Sequence, residues 1–215
     1  MNHTIDAMRK TYERARLGDQ DVVDDPIAQF ATWFEEARAS SVIEANAMIV
    51  STVDGAGQPS ARTVLLKEFT GAGFVFYTNY ESRKGREIAA NPHVALTFYW
   101  APLERQVRVL GVVEKVSPER SDAYFASRPE GSQIGAIASP QSAVIPGRAW
   151  LEERVDTLIH DHEAGAPLGR PDHWGGYLVR PTEFEFWQGR PDRLHDRIRY
   201  LRDERGAWYH ERLAP

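Results

Sequence analysis

Cysteine is absent from the 215-residue sequence, which excludes disulfides, thiolate metal ligands and thiol catalysis. A cysteine-free composition also fits a reducing compartment. No run approaches the ~18 consecutive apolar residues of a transmembrane helix, and residues 1–18 are charged throughout without an apolar signal core. The net charge of −5 argues against nucleic acid or an anionic membrane as the main partner. We therefore expect a cytoplasmic protein that uses neither partner.

Several familiar motifs are missing as well. No stretch fits GxxxxGKS/T or GxGxxG, which excludes a P-loop and a Rossmann fingerprint. The segment Gly131–Gly135 has its serine one place too early for the GxSxG nucleophile elbow. His160 and His162 are two residues apart and would face different sides of a helix, so we predict no metal site.

Hydrophobic periodicity divides the chain into helical and strand-forming stretches. Residues 4–17 carry apolar side chains at helical spacing, and Asp25-Pro26 has the form of a helix N-cap followed by proline. No stretch resembles a linker, so we expect a single domain over residues 1–215. We predict, in order, a mobile helical segment at 1–20, a helix at 26–40, barrel strands over 46–116, a helical insertion at 117–165 and closing strands over 174–215.

The order of these elements indicates the fold class. Many strands follow one another in hairpin order, and helices are inserted singly between them, which argues against a parallel βαβ sheet. Closing the sheet would remove its exposed edges. We therefore predict a mainly β protein, an antiparallel β-barrel of Greek-key type with peripheral helices.

The stretch from Arg62 to Lys84 is the clearest candidate for an anion site. Two strands, Thr63–Leu66 and Phe74–Thr78, are predicted to form a hairpin through the glycine-rich turn Thr70–Gly73. Ser82 is placed to cap a helix that begins at Arg83. Strand ends beside a helix N-terminus favour phosphate binding.

Further basic residues lie later in the chain. Arg193, His195 and Arg197 alternate in a predicted strand and would share one face, which fits either a ligand site or a solvated face with carboxylate partners across the strand. If these residues meet the Arg62–Lys84 stretch at a barrel mouth, the nearby carboxylates are too few to neutralise the charge. Those carboxylates are Glu68, Glu81 and Asp196. The pattern therefore predicts a phosphorylated ligand.

An aromatic side chain adjoins the basic triplet. Trp187 offers either a flat surface for an aromatic cofactor or an ordinary core side chain.

Eight motifs in order resemble the pyridoxamine 5′-phosphate oxidase family across essentially the whole chain. They are RTVLLK (62–67), FYTNYESRKG (76–85), LERQVRVLG (103–111), YFASRPEGSQIGA (124–136), SPQS (139–142), WGGY (174–177), EFWQG (185–189) and RLHDR (193–197), and the terminal RLAP (212–215) also fits. The resemblance implies an FMN-binding split β-barrel. It also implies a homodimer that binds FMN noncovalently in sites shared by both subunits.

The resemblance also implies roles for individual residues. The implied cofactor contacts are Arg62, Lys67, Tyr77, Thr78, Arg83, Lys84, Gln106, Gln141, Ser142, Trp187 and Arg197, of which Gln106, Gln141 and Ser142 are expected from the second subunit. The implied substrate contacts are Arg9, Tyr12, Lys67, Tyr124, Arg128, Ser132, Arg193 and His195, and the last two are the implied catalytic pair. Arg9 and Tyr12 match a segment that can fold over the substrate in this family.

The implied reaction is oxidation of pyridoxamine 5′-phosphate or pyridoxine 5′-phosphate to pyridoxal 5′-phosphate by O2, with release of H2O2. Two alternatives stay open from the sequence. One is a related flavin oxidase of phenazine-type substrates, and the other is a non-catalytic carrier of flavin or pyridoxal phosphate. The loop Gln141–Arg148 departs from the family pattern at Val144 and Pro146.

Overall fold

The computed structural model describes residues 10–215. Within them lie five α-helices: α1 (Pro26–Arg38), α2 (Arg83–Ala90), α3 (Pro118–Ala126), α4 (Glu130–Ala138) and α5 (Arg148–Glu163). The strands are β1 (Ala47–Val53), β2 (Pro59–Leu65), β3 (Glu68–Thr70), β4 (Gly73–Asn79), β5 (His93–Trp100), β6 (Arg105–Lys115), β7 (Trp174–Gln188), β8 (Asp196–Arg202) and β9 (Trp208–Leu213). The fold is therefore mainly β with helices between strands, as the sequence predicts.

Side-chain caps set where three of the helices begin. The carboxylate of Asp25 accepts a hydrogen bond from the Ile27 N–H at 2.9 Å, and Pro26 occupies the first helical position. Ser82 caps α2 and Ser117 caps α3 in the same way, each accepting from a backbone N–H at 3.3 Å. These caps satisfy N–H groups that have no partner inside the helix, and they confirm the predicted starts. None of the helices within residues 10–215 has the length and apolar character that crossing a bilayer requires.

Hydrogen bonding joins the strands in the order β2-β1-β5-β6-β7-β4-β3, while β8 pairs with β7 and β9 pairs with β8. The long strand β7 pairs antiparallel with β4 along its first half and with β8 along its second half. This register sets Tyr77 opposite Gly176 and Trp187 opposite Arg197. The antiparallel pairings confirm the predicted sheet type.

The described residues divide into two compact units that interleave along the chain. The first unit contains the described residues up to Ile49, with Ala95–Leu110 and Pro181–Pro215, and the second contains Val50–Val94 and Gly111–Arg180. Each unit has its own aromatic core. In the first, the ring centroids of Phe30 and Phe98 are 5.0 Å apart, and in the second those of Phe76 and Tyr177 are 5.6 Å apart. The expectation of a single domain stays a prediction.

The prediction of a helix near the N-terminus is wrong for its described part. Residues 10–18 contain no helix. The backbone N–H groups of Arg14 and Leu17 donate to the carboxylates of Glu104 and Asp196, each at 3.0 Å. Tertiary contacts thus replace the hydrogen bonds that a helix would have made. Residues 1–9 of the predicted segment lie outside the described residues.

The predicted hairpin has a different first strand. The turn Thr70–Gly73 joins β4 to the three-residue strand β3, with Phe69 opposite Phe74. The strand β2, which contains most of Thr63–Leu66, neighbours β1 in the sheet order. The strand β3 was not predicted, because it is only three residues long and Phe69 is its single apolar side chain.

Close packing at Gly176 generates a stability prediction. A Cβ added there would lie 2.6 Å from Val116 Cγ2 and 2.8 Å from Tyr77 Cε1. We expect Gly176→Ala to lower the free energy of unfolding by about 1–3 kcal/mol, because a well-packed site must distort to accept a methyl group. Chemical denaturation measures this. The matched control is Gly169→Ala, where a Cβ would meet nothing within 4 Å, and equal stability of the two variants would contradict the prediction.

Candidate active site

A cavity of about 430 Å³ lies in the second unit and is rich in basic side chains. We call it the basic pocket. Its walls come from the end of β2, from β4, α2, α3 and α4, and from the start of β7. The lining residues are Thr63, Val64, Leu65, Lys67, Tyr77, Thr78, Lys84, Tyr124, Arg128, Pro129, Ser132, Gln141 and Trp174. Eight residues of the predicted site therefore meet here: Lys67, Tyr77, Thr78, Lys84, Tyr124, Arg128, Ser132 and Gln141.

Arg128 brings an incompletely satisfied guanidinium to the pocket. Its Nη1 atom is buried and has no hydrogen-bond partner within residues 10–215. The guanidinium carbon lies 4.6 Å from the ring centroid of Trp174 and 5.6 Å from that of Phe125. Burial lowers the pKa of Arg128. An unsatisfied, partly desolvated guanidinium gains most from an anion, so this side chain indicates a binding site for phosphate or carboxylate.

Lys84 brings a second buried cation to the pocket. Its Nζ atom donates to Thr78 Oγ1 at 3.0 Å and to Gln141 Oε1 at 2.8 Å. Both partners are neutral, so they orient the ammonium group without cancelling its charge. Burial, followed by the charge of Arg62, lowers the pKa of Lys84 to about 8. Lys84 is therefore charged at neutral pH and loses its charge in mild alkali.

Stacked aromatic rings form one wall of the basic pocket. The rings of Tyr77 and Tyr124 are 3.8 Å apart at an interplanar angle of 19°. Trp174 continues the stack, 5.6 Å from Tyr77. Burial raises the pKa of Tyr77, so its hydroxyl remains protonated. The wall offers hydroxyl groups beside flat apolar surface, which suits a phosphorylated aromatic ligand.

A second cavity of about 490 Å³ lies in the first unit, and we call it the N-terminal pocket. Extended residues near the N-terminus form one side, and the turn before β8 forms the other. The lining residues are Lys10, Thr11, Tyr12, Arg190, Asp192, Arg193 and His195. It thus contains three predicted substrate contacts, Tyr12, Arg193 and His195.

His195 is held in a defined orientation. Its Nδ1 atom accepts a hydrogen bond from the Arg190 N–H at 3.1 Å. Burial, with the nearby charge of Arg193, lowers the pKa of the imidazole. A neutral ring that accepts at Nδ1 carries its proton on Nε2. The ring centroids of Trp187 and Tyr12 lie 4.6 Å and 5.8 Å from that of His195. The geometry therefore presents His195 as a neutral hydrogen-bond donor.

The predicted alternation of Arg193, His195 and Arg197 on one strand is wrong. Asp192 and Arg193 have φ angles of 55° and 62°, and β8 begins only at Asp196. Because the backbone turns through the left-handed region, Arg193 and His195 line the N-terminal pocket, whereas Arg197 lies in the strand. Arg197 donates to both carboxylate oxygens of Glu185, at 2.9 and 3.2 Å.

Arg62 and Arg83 do not line the basic pocket. Both contact the buried carboxylate of Glu87, at 3.3 Å from Arg62 and 2.8 Å from Arg83. Burial alone would raise the pKa of Glu87, but hydrogen bonds from Ser60, Thr52 and Arg83 outweigh it and lower the pKa to about 2. The expectation that nearby carboxylates are too few was therefore wrong for these two arginines, since it overlooked Glu87.

Three further predicted residues within the described part of the chain line neither pocket: Gln106, Ser142 and Trp187. Gln106 is half-buried on β6, and Trp187 contacts the rim of the N-terminal pocket through His195. Ser142 is exposed next to Gln141, with a φ angle of 71°. Arg9 lies outside the described residues.

Comparison with known proteins shows which family this sequence matches. Residues 34–160 match the pyridoxamine 5′-phosphate oxidase family, and residues 174–215 match a region described as the pyridoxine 5′-phosphate oxidase C-terminal dimerisation region. The chain belongs to the pyridoxamine 5′-phosphate oxidase family. The pyridoxine/pyridoxamine 5′-phosphate oxidase of Salinibacter ruber is 56% identical over 209 residues, 97% of each chain. That of Bordetella petrii is 55% identical over 212 residues, 99% of this chain and 100% of the relative. The family resemblance is thereby confirmed.

Solved structures support the fold within this family. PhzG from Burkholderia lata 383, solved with tetrahydrophenazine-1-carboxylic acid, has a TM-score of 0.86 and 29% identity, covering 93% of this chain and 98% of its own. A pyridoxamine 5′-phosphate oxidase-related, FMN binding protein from Nostoc punctiforme has a TM-score of 0.68 and 18% identity, covering 87% of this chain and 96% of its own. The second likeness shows the fold alone, and the predicted fold class is confirmed.

Sequence reasoning missed several residues that shape the two pockets. Trp174 is part of the WGGY motif, but no sequence signal indicates that its ring packs against the Arg128 guanidinium. Glu87 is four residues after Arg83 on α2, so helical spacing could have revealed that ion pair. Glu104 and Glu185 had no such signal, because their partners are distant in sequence.

The buried Nη1 of Arg128 leads to a prediction of opposite effects on stability and on phosphate binding. We expect Arg128→Met to raise the free energy of unfolding of the ligand-free protein by roughly 1 kcal/mol, since it removes an unsatisfied buried donor. The same change should weaken binding of inorganic phosphate about tenfold or more, as expected for a lost charge-assisted hydrogen bond. Chemical denaturation and calorimetric titration measure the two effects.

The control for this prediction is Arg148→Met, because Arg148 is exposed and pairs with Glu152 on α5. It should change neither quantity. Loss of stability in Arg128→Met without loss of phosphate binding would show that Arg128 is a structural residue.

Proposed function

We propose that this protein is an FMN-dependent oxidase that converts pyridoxamine 5′-phosphate and pyridoxine 5′-phosphate to pyridoxal 5′-phosphate. O2 accepts the electrons and yields H2O2, and the amine substrate also releases ammonia. The observation that carries the proposal is the buried Nη1 of Arg128, which has no partner in the described part of the chain and lies in a pocket with Lys84 and a stacked aromatic wall. The relatives that match nearly full length are named for this activity.

The donors of the basic pocket fit FMN. Lys84 is held by neutral Thr78 and Gln141, which leaves its charge available to a phosphate group. We propose that Lys67, Tyr77, Thr78, Lys84 and Gln141 hold the cofactor, noncovalently. Arg62 and Arg83 remain candidates, although both contact Glu87. When bound, FMN would supply the redox chemistry, as the hydride acceptor for the substrate and the electron donor to O2.

The substrate phosphate is assigned to the α3–α4 side of the basic pocket. Tyr124 contributes a hydroxyl, Arg128 an unsatisfied guanidinium and Ser132 a hydroxyl in the first turn of α4. Lys67 is exposed at the edge and can serve either phosphate. Holding the phosphate away from the reacting carbon fixes the position of the substrate, and such positioning accelerates reaction by several orders of magnitude.

Arg193 and His195 are assigned to the pyridine ring and the reacting carbon. The left-handed turn at Asp192 and Arg193 directs this pair into the N-terminal pocket. His195 presents its Nε2–H as a donor, because Nδ1 already accepts from the Arg190 N–H. Both residues therefore act by orienting and polarising the substrate. Tyr12 forms the opposite side of the pocket and would limit its access to water.

We further propose a homodimer whose cofactor sites take residues from both chains. The match of residues 174–215 to a dimerisation region supports the dimer. Gln106, Trp187 and Arg197 belong to the first unit, as do Arg193 and His195, and we assign all five to the partner's site. Gln141 contacts Lys84 of its own chain, so we now assign Gln141 to the same site as Lys84, with Ser142 beside it. The cysteine-free composition supports the cytoplasmic location predicted above.

Anaerobic mixing tests the reaction directly. We expect pyridoxine 5′-phosphate to bleach the flavin absorbance of the FMN-loaded protein within a single turnover, because the substrate C4′ is the hydride donor. Persistent colour with both phosphorylated substrates would contradict the oxidase and favour a carrier. Bleaching only by tetrahydrophenazine-1-carboxylic acid, the compound bound to PhzG, would favour a phenazine-type substrate.

Substitution of Arg193 separates orientation from cofactor binding. We expect Arg193→Ala to slow flavin reduction by about 100-fold, consistent with the loss of a positioning contact, while the Kd for FMN changes less than threefold. Stopped-flow absorbance and fluorescence titration measure the two quantities. Arg202→Ala, which removes an exposed arginine of the same unit, is the control. Unchanged reduction in Arg193→Ala would refute the assigned role.

The lowered pKa of Lys84 generates a pH prediction. A cation with a pKa of about 8 is charged below that value and neutral above it. FMN affinity should therefore fall about tenfold between pH 7 and pH 9, as one proton must be bound for the charge to be present. In Lys84→Met this pH dependence should disappear. Lys115→Met, which removes a lysine over the Tyr80 ring, should retain it. A flat wild-type profile would refute the assignment.

A further inference from the structure

Residues 10–18 form an extended segment across the first unit, and two contacts fix its far end. Leu17 is 1% exposed, and its N–H donates to Asp196 Oδ2 at 3.0 Å. Arg212 donates to the Leu17 carbonyl at 2.9 Å and to Asp196 Oδ1 at 3.1 Å. These contacts tie the chain down at Leu17. They do not reach the residues that line the N-terminal pocket, Lys10 to Tyr12.

Glu104 supplies a separate anchor nearer the pocket. Its carboxylate accepts from the Arg14 N–H at 3.0 Å and lies 3.3 Å from Lys10 Nζ. The residue is only 5% exposed, so an unpaired charge here would be costly. Burial alone would raise the pKa of Glu104, but the Arg14 N–H and Lys10 hold it below its ordinary value. The charge of this buried carboxylate is thus compensated by two groups of the extended segment, the Arg14 N–H and the Lys10 ammonium.

The backbone of Glu104 is also set in an unusual conformation. Its φ angle is 55°, in the left-handed region that non-glycine residues rarely adopt. The Gly189 N–H donates to the Glu104 carbonyl at 2.7 Å, and Gln188 Nε2 donates to it at 3.2 Å. Such strain persists only where surrounding contacts hold it, and it is concentrated at functional positions. The contacts link Glu104 directly to the EFWQG motif.

Tyr12 lies between the two residues that Glu104 holds. Its ring packs edge-on against Trp187 and His195, with centroid distances of 5.8 Å to each. A Cβ added at Gly189 would lie 2.7 Å from Tyr12 Cγ, so the tyrosine sits directly on the backbone there. The position of Tyr12 beside His195 therefore depends on where Lys10 and Arg14 are held.

We propose that Glu104 is a positioning residue: by binding Lys10 and the Arg14 backbone, it seats Tyr12 against His195 and closes the N-terminal pocket over its ligand. The anchoring of the segment stands independently of the reaction. The effect on turnover rests on the proposed function, because it requires that the N-terminal pocket receives the phosphorylated substrate's ring.

Limited trypsin digestion of the FMN-loaded protein tests the anchor without substrate. Lys10 and Arg14 are themselves trypsin sites, and mass spectrometry resolves cleavage after each. We expect Glu104→Ala to speed these cleavages roughly tenfold, since opening the segment no longer breaks a charge-assisted hydrogen bond. Glu104→Gln keeps a hydrogen-bond acceptor but loses the charge, so it should lie between Glu104→Ala and wild type.

The control is Glu35→Gln, which removes an exposed carboxylate paired with Arg38 on α1. It should be cleaved at the wild-type rate. If Glu104→Ala fails to fold, the isosteric Glu104→Gln decides the question. Cleavage of both Glu104 variants at the wild-type rate would overturn the anchor.

Steady-state kinetics with pyridoxine 5′-phosphate test the positioning role. We expect the Glu104 variants to raise KM about fivefold or more, with bound FMN unchanged, because closure over the substrate is lost. Gly189→Ala, which displaces Tyr12 while Glu104 remains, should raise KM in the same way. Faster cleavage with an unchanged KM would overturn the positioning role. A wild-type protein that oxidises neither phosphorylated substrate would instead refute the proposed function, and the positioning role would fall with it.

Discussion

Buried positive charge without a matching carboxylate is the constraint on which the site of this protein depends. Lys84 and Arg128 are both withdrawn from solvent, and their described neighbours in the basic pocket are neutral side chains and aromatic rings. Such groups hold a cation in place without neutralising it. The folded protein therefore carries an electrostatic cost that an anionic ligand removes. The free energy gained when an anion compensates this charge would therefore contribute directly to ligand binding.

Two buried carboxylates decide which arginines are available for ligands. Glu87 engages Arg62 and Arg83, while Glu185 engages Arg108 and Arg197. Each carboxylate is buried, yet each has a lowered pKa because the hydrogen bonds from its partners outweigh desolvation. Arginines that look equivalent in the sequence thereby differ in the structure: four contact buried carboxylates, whereas Arg128 has a buried Nη1 with no hydrogen-bond partner among residues 10–215.

Local signals predicted much of the fold. The caps at Asp25, Ser82 and Ser117 follow from side chains within a few residues of each other. Such contacts depend little on the rest of the chain, so they can be predicted from the local sequence. The extended N-terminal segment was not predictable in this way. Its apolar residues have the spacing of a helix. However, the backbone N–H groups of Arg14 and Leu17 donate to Glu104 and Asp196, which are distant in sequence, instead of to helical carbonyls.

The residues of the site also divide into those that local sequence predicts and those that depend on contacts between distant parts of the chain. By itself the sequence determined the family, the mainly β fold and eight of the residues that line the basic pocket, because these depend on motifs that local structure preserves. Only the tertiary structure decided which way Arg193 and His195 point, since left-handed backbone at Asp192 and Arg193 breaks the strand alternation that the sequence suggests. It also decided that Nη1 of Arg128 has no hydrogen-bond partner among residues 10–215, and that Glu104 contacts Lys10 and the Arg14 backbone. Both outcomes depend on contacts between charged groups that are distant in sequence. Local sequence patterns do not predict such contacts.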